Sequence, residues 1–286
     1  MPIADVMLSN RLHAFAAIAA LAAALTPRDE FLISCAEESA DCAPILGAPA
    51  PETFDVRFDL AGGSSYTVHV VSAWAPPMAQ RFYALALLHY FDGDGVAVGA
   101  PFYRVLRTNS SHSFVTQFGY RGVPAVDSAW ISSLTVNVTA PVAPASGGNR
   151  RGTVAFGTGE ITRDASRTPY CTAPECSLGF SVELFVNLAD NSAKLDPMAF
   201  SPFGYVDEAE MVAVVDPIFS GYGELLDICS QPGVGASDAY CVPDGSGSWK
   251  GVNLTHLTSS GGVSYLEQGF PLLDYVAKAT LLPSSV

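Results

Sequence analysis

Basic residues are scarce in this chain: 14 Lys and Arg stand against 28 Asp and Glu in 286 residues, a formal net charge of −14. Phosphate-backbone binding needs a basic footprint, so nucleic acid is a poor partner. Charged residues of either sign reach only 15%, while 49% are apolar. That balance excludes a disordered chain and leaves ample material for a core. Long apolar runs are also missing. The longest, Ala14 to Leu25, would rise about 18 Å as a helix, against roughly 30 Å of bilayer hydrocarbon. No G-x-S-x-G elbow, H-E-x-x-H pair or G-x-x-x-x-G-K-[ST] loop occurs, which removes the usual signatures of esterases, zinc proteases and P-loop enzymes. Histidines 13, 69, 89, 112 and 256 are scattered. Asp92-Gly93-Asp94-Gly95 begins like a calcium loop, but Val96 and Val98 follow where oxygen ligands belong, so it reads as a tight turn. No metal site and no cofactor are expected.

The short apolar run follows Arg11 and His13, precedes Pro27, and contains small residues such as Ala22 and Ala24. It therefore reads as a secretory signal over residues 1–26; the alternative is an Ala-rich helix packed on the domain. Six cysteines fall in three local pairs without a C-x-x-C. Proximity pairs Cys35 with Cys42, Cys171 with Cys176 and Cys229 with Cys241, among fifteen possible connectivities. Sequons begin at Asn109, Asn137 and Asn253, which makes these three the candidate glycosylation sites. Together these features predict a secreted or secretory-pathway protein, a signal-type leader to a plastid being the alternative. With the leader removed, no membrane span remains and a monomer is expected.

Residues 27–52, rich in Pro and acids and without periodicity, read as a linker. From Thr53 the texture changes. Phe54, Val56, Phe58 and Leu60 alternate with Asp55, Arg57 and Asp59, the period of a half-buried strand. Gly62-Gly63 turns the chain and Tyr66 to Val71 returns, forming a hairpin. Met78 to Tyr90 carries a helical stripe. Strands are predicted over 101–106, 113–118, 151–156 and 180–188, with a second helix over 209–215. Hairpins with two isolated helices predict a mainly β fold, a closed antiparallel barrel rather than a doubly wound sheet.

One cation lies inside an apolar strand, in Phe102-Tyr103-Arg104-Val105-Leu106, and Phe114-Val115-Thr116-Gln117-Phe118-Gly119 follows. This order resembles the F-x-R-V…F-x-x-Q-x-G signature of cyclophilin-type peptidyl-prolyl cis/trans isomerases. Arg151 to Phe156, Leu184 to Leu188 with Asp190-Asn191, Leu195-Asp196, and Phe200 to Val206 resemble further segments of that family in the same order. Gly221-Tyr222-Gly223-Glu224 and Phe270 to Tyr275 resemble the tail of its bacterial and algal members. The likeness covers residues 53–276, read as one domain, and leaves 277–286 as a tail.

The resemblance implies an eight-stranded antiparallel barrel capped by two helices, a proline-containing peptide as ligand and no cofactor. It makes Arg104 the catalytic residue and places Phe114, Val115, Gln117, Phe185 and Leu195 in the substrate site. It implies isomerisation of X–Pro bonds in client proteins, in aid of their folding. This chain departs from the pattern at Glu183, where the family often has Gln, and at Thr158, Gly157, Lys194 and Phe200. Retained Arg104, Phe114 and Gln117 favour the enzyme, whereas Glu183, Thr158 and Lys194 favour a rival, a weak or inactive proline-peptide binding module or chaperone. A secreted β-barrel of lectin-like or structural type is a third reading.

Overall fold

The computed structural model describes residues 25–93, 99–109, 112–133, 143–160, 178–198 and 200–283. Cys171, Cys176 and Asn137, most of the expected leader and the second half of the Asp92–Gly95 turn lie outside them.

Eight strands form one antiparallel sheet: β1 (Thr53–Leu60), β2 (Ser65–Val71), β3 (Arg104–Asn109), β4 (His112–Phe118), β5 (Thr153–Glu160), β6 (Leu178–Asn187), β7 (Gly204–Tyr205) and β8 (Val276–Leu281), in the order β3-β4-β6-β5-β7-β2-β1-β8. The β1–β2 hairpin follows directly from its pattern of two. Phe54, Val56, Phe58 and Leu60 face inward and meet Val70, Val68, Tyr66 and the turn, in a register running from Thr53↔Val71 to Asp59↔Ser65. Gly63 closes the turn at φ +89°, a backbone angle that favours glycine.

The expected closed barrel is corrected to an open, curled sheet. Its edge strands β3 and β8 share no ladder and are tied by one bridge, Pro101 to Tyr275, flanked by the bonds Phe102 N–H to Asp274 O and Val276 N–H to Ala100 O. The physical reason lies next to that bridge: the Ala100 N–H, which a longer ladder would aim at the Val276 carbonyl, donates instead to the Phe91 carbonyl (3.2 Å). β8 runs over residues 276–281 and pairs antiparallel with β1.

Among the described residues four longer helices accompany the sheet, where two were expected: α1 (Pro27–Ala36), α2 (Pro76–Leu87), α3 (Pro124–Ser132) and α4 (Gly262–Gly269). The first replaces part of the expected linker. Thr26 and Asp29 cap it reciprocally with Pro27 at its first position, and Cys35 in its last turn is joined to Cys42, just beyond it, by a disulfide. The expected helix over 209–215 is a short turn from Glu208 continuing as π-helix, Met211–Val215. Inside the sheet, Phe82 of α2 stacks near Phe58 (6.1 Å) and Phe203 (4.9 Å), and Phe58 packs on Tyr66 (5.4 Å) and Phe118 (5.6 Å). Phe58, Phe82, Phe118 and Tyr66 are all fully buried, each contributing about 1.5–3 kcal/mol.

Asp127 of α3 is buried, and its carboxylate accepts the backbone N–H of Arg121 (2.8 Å) and of Gly122 (2.9 Å). Burial outweighs these bonds and the nearby Arg121 charge, and pushes its pKa up to about 7. The folded state therefore holds a proton that the unfolded chain has already released, so stability falls as pH rises from about 4 to about 7. Asp127→Asn should remove that slope and lose about 1–3 kcal/mol, because its amide nitrogen would oppose one of the two N–H donors. Urea midpoints of both proteins across pH 4 to 8 read the two effects separately; a slope that survives the substitution assigns it to another group.

Candidate functional site

Strand register brings the site together. Arg104 of β3 lies opposite Gln117 of β4, Gln117 opposite Phe185 of β6, and Phe185 opposite Ala155 of β5. These four residues form a row across adjacent strands, on the face turned away from the main core. The inner face carries Phe118, Leu184 and Phe156 instead. Period two thus gives these strands a second face, and its Leu106, Val115, Ala155 and Phe185 make a separate buried cluster with Phe114, Leu195 and Phe200.

Within that cluster is a hollow lined by Arg104, Phe114, Val115, Gln117, Gly157, Phe185, Leu195, Met198 and Phe200. All six candidate catalytic and substrate-binding residues line it. Its far wall comes from the short helix Ser192–Leu195 and the turn Asp196–Met198, where Phe200 meets Phe185 edge to face at 5.7 Å. A buried amide network holds that wall. Asn149 Nδ2 donates to Asp196 Oδ1 and to the Phe200 carbonyl (both 2.7 Å), and Asn191 Nδ2 donates to the Phe114 carbonyl (2.7 Å) and to Asn187 Oδ1 (2.8 Å). Gly148 makes room, since a Cβ there would meet Asp196 Oδ2 at 2.2 Å. Removing the Asn149 amide leaves the Asp196 oxygen and the Phe200 carbonyl each short of a donor. Asn149→Ala should cost about 1–3 kcal/mol and loosen the wall, read as faster amide exchange over residues 192–200; protection equal to wild type would contradict this role.

The electrostatics centre on Arg104, 3% exposed. Its Nη1 donates to Gln117 Oε1 at 2.9 Å. Its Nε and Nη2 donate to the two oxygens of Glu224, at 2.5 and 2.6 Å. Burial opposes the guanidinium charge, but the Glu224 carboxylate and its hydrogen bonds outweigh that cost, and the pKa is raised. Gln117 Nε2 in turn donates to Glu183 Oε1, whose other oxygen accepts from Tyr120 Oη at 3.0 Å. Glu183 is buried, so its pKa is raised against the lowering effect of Tyr120 and Arg104. Gly157 gives it space, because a Cβ there would stand 3.1 Å from its carboxyl carbon. At the rim, Lys194 Nζ lies 4.1 Å from the centre of the Phe114 ring, a cation–π contact. Partial burial and then repulsion by Arg104 lower its pKa.

Sequence reasoning missed Glu224 as a site residue and missed Tyr240, which packs half-buried against the apolar cluster. The Gly-Tyr-Gly-Glu segment was visible as a motif, but nothing local ties it to a residue 120 positions away. Of the remaining expectations, Cys229 and Cys241 are joined by a disulfide. Asn253 caps the short helix Leu254–His256, its side-chain oxygen accepting from the His256 N–H, and the backbone of Asn109 ends β3.

No family model matches the sequence, and no curated protein matches it. Among solved structures, a cyclophilin-type peptidyl-prolyl cis-trans isomerase of Cryptosporidium parvum is similar at TM-score 0.43 and 10% identity, over 81% of this chain and 99% of that one. The same protein in the presence of the dipeptide Ala-Pro gives TM-score 0.41 and 10% identity over 80% and 99%. The Mimivirus cyclophilin gives TM-score 0.42 and 11% identity, over 82% of this chain and 92% of that one.

Proposed function

We propose that the hollow beside Arg104 takes the proline ring of an X–Pro peptide and that the protein is a peptidyl-prolyl isomerase of the cyclophilin type. One observation carries the reading: the cross-strand row Arg104–Gln117–Phe185 sets a buried guanidinium against an apolar recess whose walls are Phe114, Val115 and Leu195. Rotation about the X–Pro bond opposes amide resonance, with a barrier of about 18–20 kcal/mol. In the twisted state the prolyl nitrogen loses conjugation and gains a lone pair. A donor held at that nitrogen binds the twisted state better than the planar one, and only such differential binding accelerates the rotation. Arg104 supplies that donor, and its charge persists at every physiological pH. Gln117 aligns the guanidinium, and the apolar walls hold the ring while the acyl side turns.

The second reading, a proline-peptide binding module without turnover, is favoured by the bidentate Glu224 contact, which engages the fork of the same guanidinium. Exchange NMR on an Ala-Pro-containing peptide separates the two readings. An isomerase should speed cis/trans exchange and lose at least about a hundredfold on Arg104→Ala, which is about 2.7 kcal/mol of transition-state stabilisation. Binding with no acceleration in wild type selects the module, and no binding at all refutes both. The disulfides Cys35–Cys42 and Cys229–Cys241 support residence in an oxidising compartment, in keeping with a secretory route.

A further inference from the structure

The residue that covers Arg104 belongs to an excursion of the chain, residues 219–252, that runs across the site before α4 begins. Its order is internal and tight. Glu224 N–H donates to the Tyr240 carbonyl (3.0 Å), Leu226 N–H to the Val252 carbonyl (3.0 Å) and Lys250 N–H to the Val242 carbonyl (2.8 Å). The Cys229–Cys241 disulfide closes the loop between them. Gly223, at φ +68°, brings the chain so near Tyr240 that a Cβ would meet its carbonyl oxygen at 2.1 Å, and Gly251 lies as closely on the Glu224 carbonyl. The Glu224 carboxylate is thus delivered from a fixed backbone. It is 3% exposed, and Tyr240 beside it packs on the apolar cluster.

We infer that residues 219–252 form a built-in strap whose Glu224 occupies the ligand position at Arg104, so that the cleft is self-inhibited until the strap lifts. Three observations converge on this. The Nε–Nη2 edge of the guanidinium, a surface suited to a bidentate acceptor, is taken up by both oxygens of one carboxylate. Arg104 and Glu224 are each only 3% exposed, so the pair is closed over rather than presented to solvent. Tyr240 of the same excursion packs on the apolar cluster that forms the hollow. A ligand must therefore displace the strap, and the apparent affinity is reduced by the fraction of molecules in which the strap is open.

This inference rests on the proline-peptide reading of the hollow. Two substitutions unseat the strap by different means. Glu224→Gln keeps size and shape but turns one acceptor into a donor that faces Arg104. Gly223→Ala keeps the Glu224 charge and strains the turn that delivers it. Both are to be titrated with the Ala-Pro-containing peptide beside the wild type, with the exchange rate of the Arg104 Nε–H followed by NMR as a reading of the strap that needs no ligand. The expected result is Nε–H exchange at least about tenfold faster and peptide affinity at least about tenfold tighter in both variants, a gain the population arithmetic gives for a strap closed nine times in ten. Equal affinity in all three proteins overturns the strap and leaves the proline reading standing. Tightening in Glu224→Gln alone also overturns it, since charge rather than occupancy would then be the cause. Faster Nε–H exchange without peptide binding in any protein refutes the proline reading, and the strap as an inhibitor with it.

Discussion

Arg104→Met should destabilise the protein by about 3–5 kcal/mol, the cost of leaving a buried charge without its partner. Glu224 is 3% exposed and its carboxylate accepts both N–H groups of the guanidinium fork, with the Leu225 N–H as a third donor at 2.7 Å. With Arg104 gone, that single backbone donor cannot balance the desolvation of a carboxylate, so the residue must take up a proton or the strap must lift. Glu224→Leu should cost a similar amount from the other side, because Arg104 then keeps Gln117 as its hydrogen-bond partner and only the more distant Glu183 carboxylate as counter-charge. The double variant Arg104→Met/Glu224→Leu should recover to within about 1–2 kcal/mol of wild type, since a buried pair replaced by apolar groups of like volume is often neutral. Urea unfolding of the four proteins with the disulfides intact measures the coupling. Additive losses would mean that the two charges do not depend on each other. The experiment concerns stability alone, so its outcome is independent of whether the hollow accepts a peptide.

What the sequence made legible, and what it did not, divides along the range of the interactions. The β1–β2 hairpin is local. Its alternation from Phe54 to Leu60 and its Gly62-Gly63 turn contain nearly all the information the pair needs, and the observed register follows from them. The row Arg104–Gln117–Phe185 is nearly as accessible, because strands with fixed side-chain parity place residues on one face once their pairing is known. Closure was not accessible. It depends on whether the segments before β3 and β8 can extend their contact, and the Ala100 N–H, taken by the Phe91 carbonyl, decides that against a ladder, a detail that periodicity averages away. The helix at Pro27–Ala36 carried its signals in plain view, a Thr26/Asp29 capping box and Pro27. Its apolar stripe is too narrow to register, since its buried residues include Asp29 along with Leu32, Cys35 and Ala36. The Glu224 contact spans 120 positions and has no local correlate at all.

Arg121 shows what such a non-local charge does for the fold, and Arg121→Ala should be the most damaging single change outside the site. The side chain is fully buried. Its Nη1 donates to the carbonyls of Tyr90 (2.6 Å) and Asp92 (2.9 Å), and its Nη2 lies 3.8 Å from Asp29 of α1. Asp29 is also the residue that caps α1, through Thr26. Truncation would strand two carbonyls and a buried carboxylate and open a cavity of guanidinium size. The expected loss is about 4 kcal/mol, from an unpaired buried charge together with lost packing. The damage should be directional. α1 is held to the domain by this pair, by the Trp130 Nε1 bond to the Leu32 carbonyl (3.1 Å) and by Leu32 itself, fully buried. With Arg121 removed, amides of residues 27–46 should exchange before those of β1, β2 and β6. Hydrogen exchange resolved by peptide mass reads that order, and uniform acceleration across the sheet would show that Arg121 supports the sheet strands directly rather than through α1. Arg121→Lys should recover only part of the loss, because one ammonium cannot span two carbonyls and a carboxylate in the geometry of a planar fork.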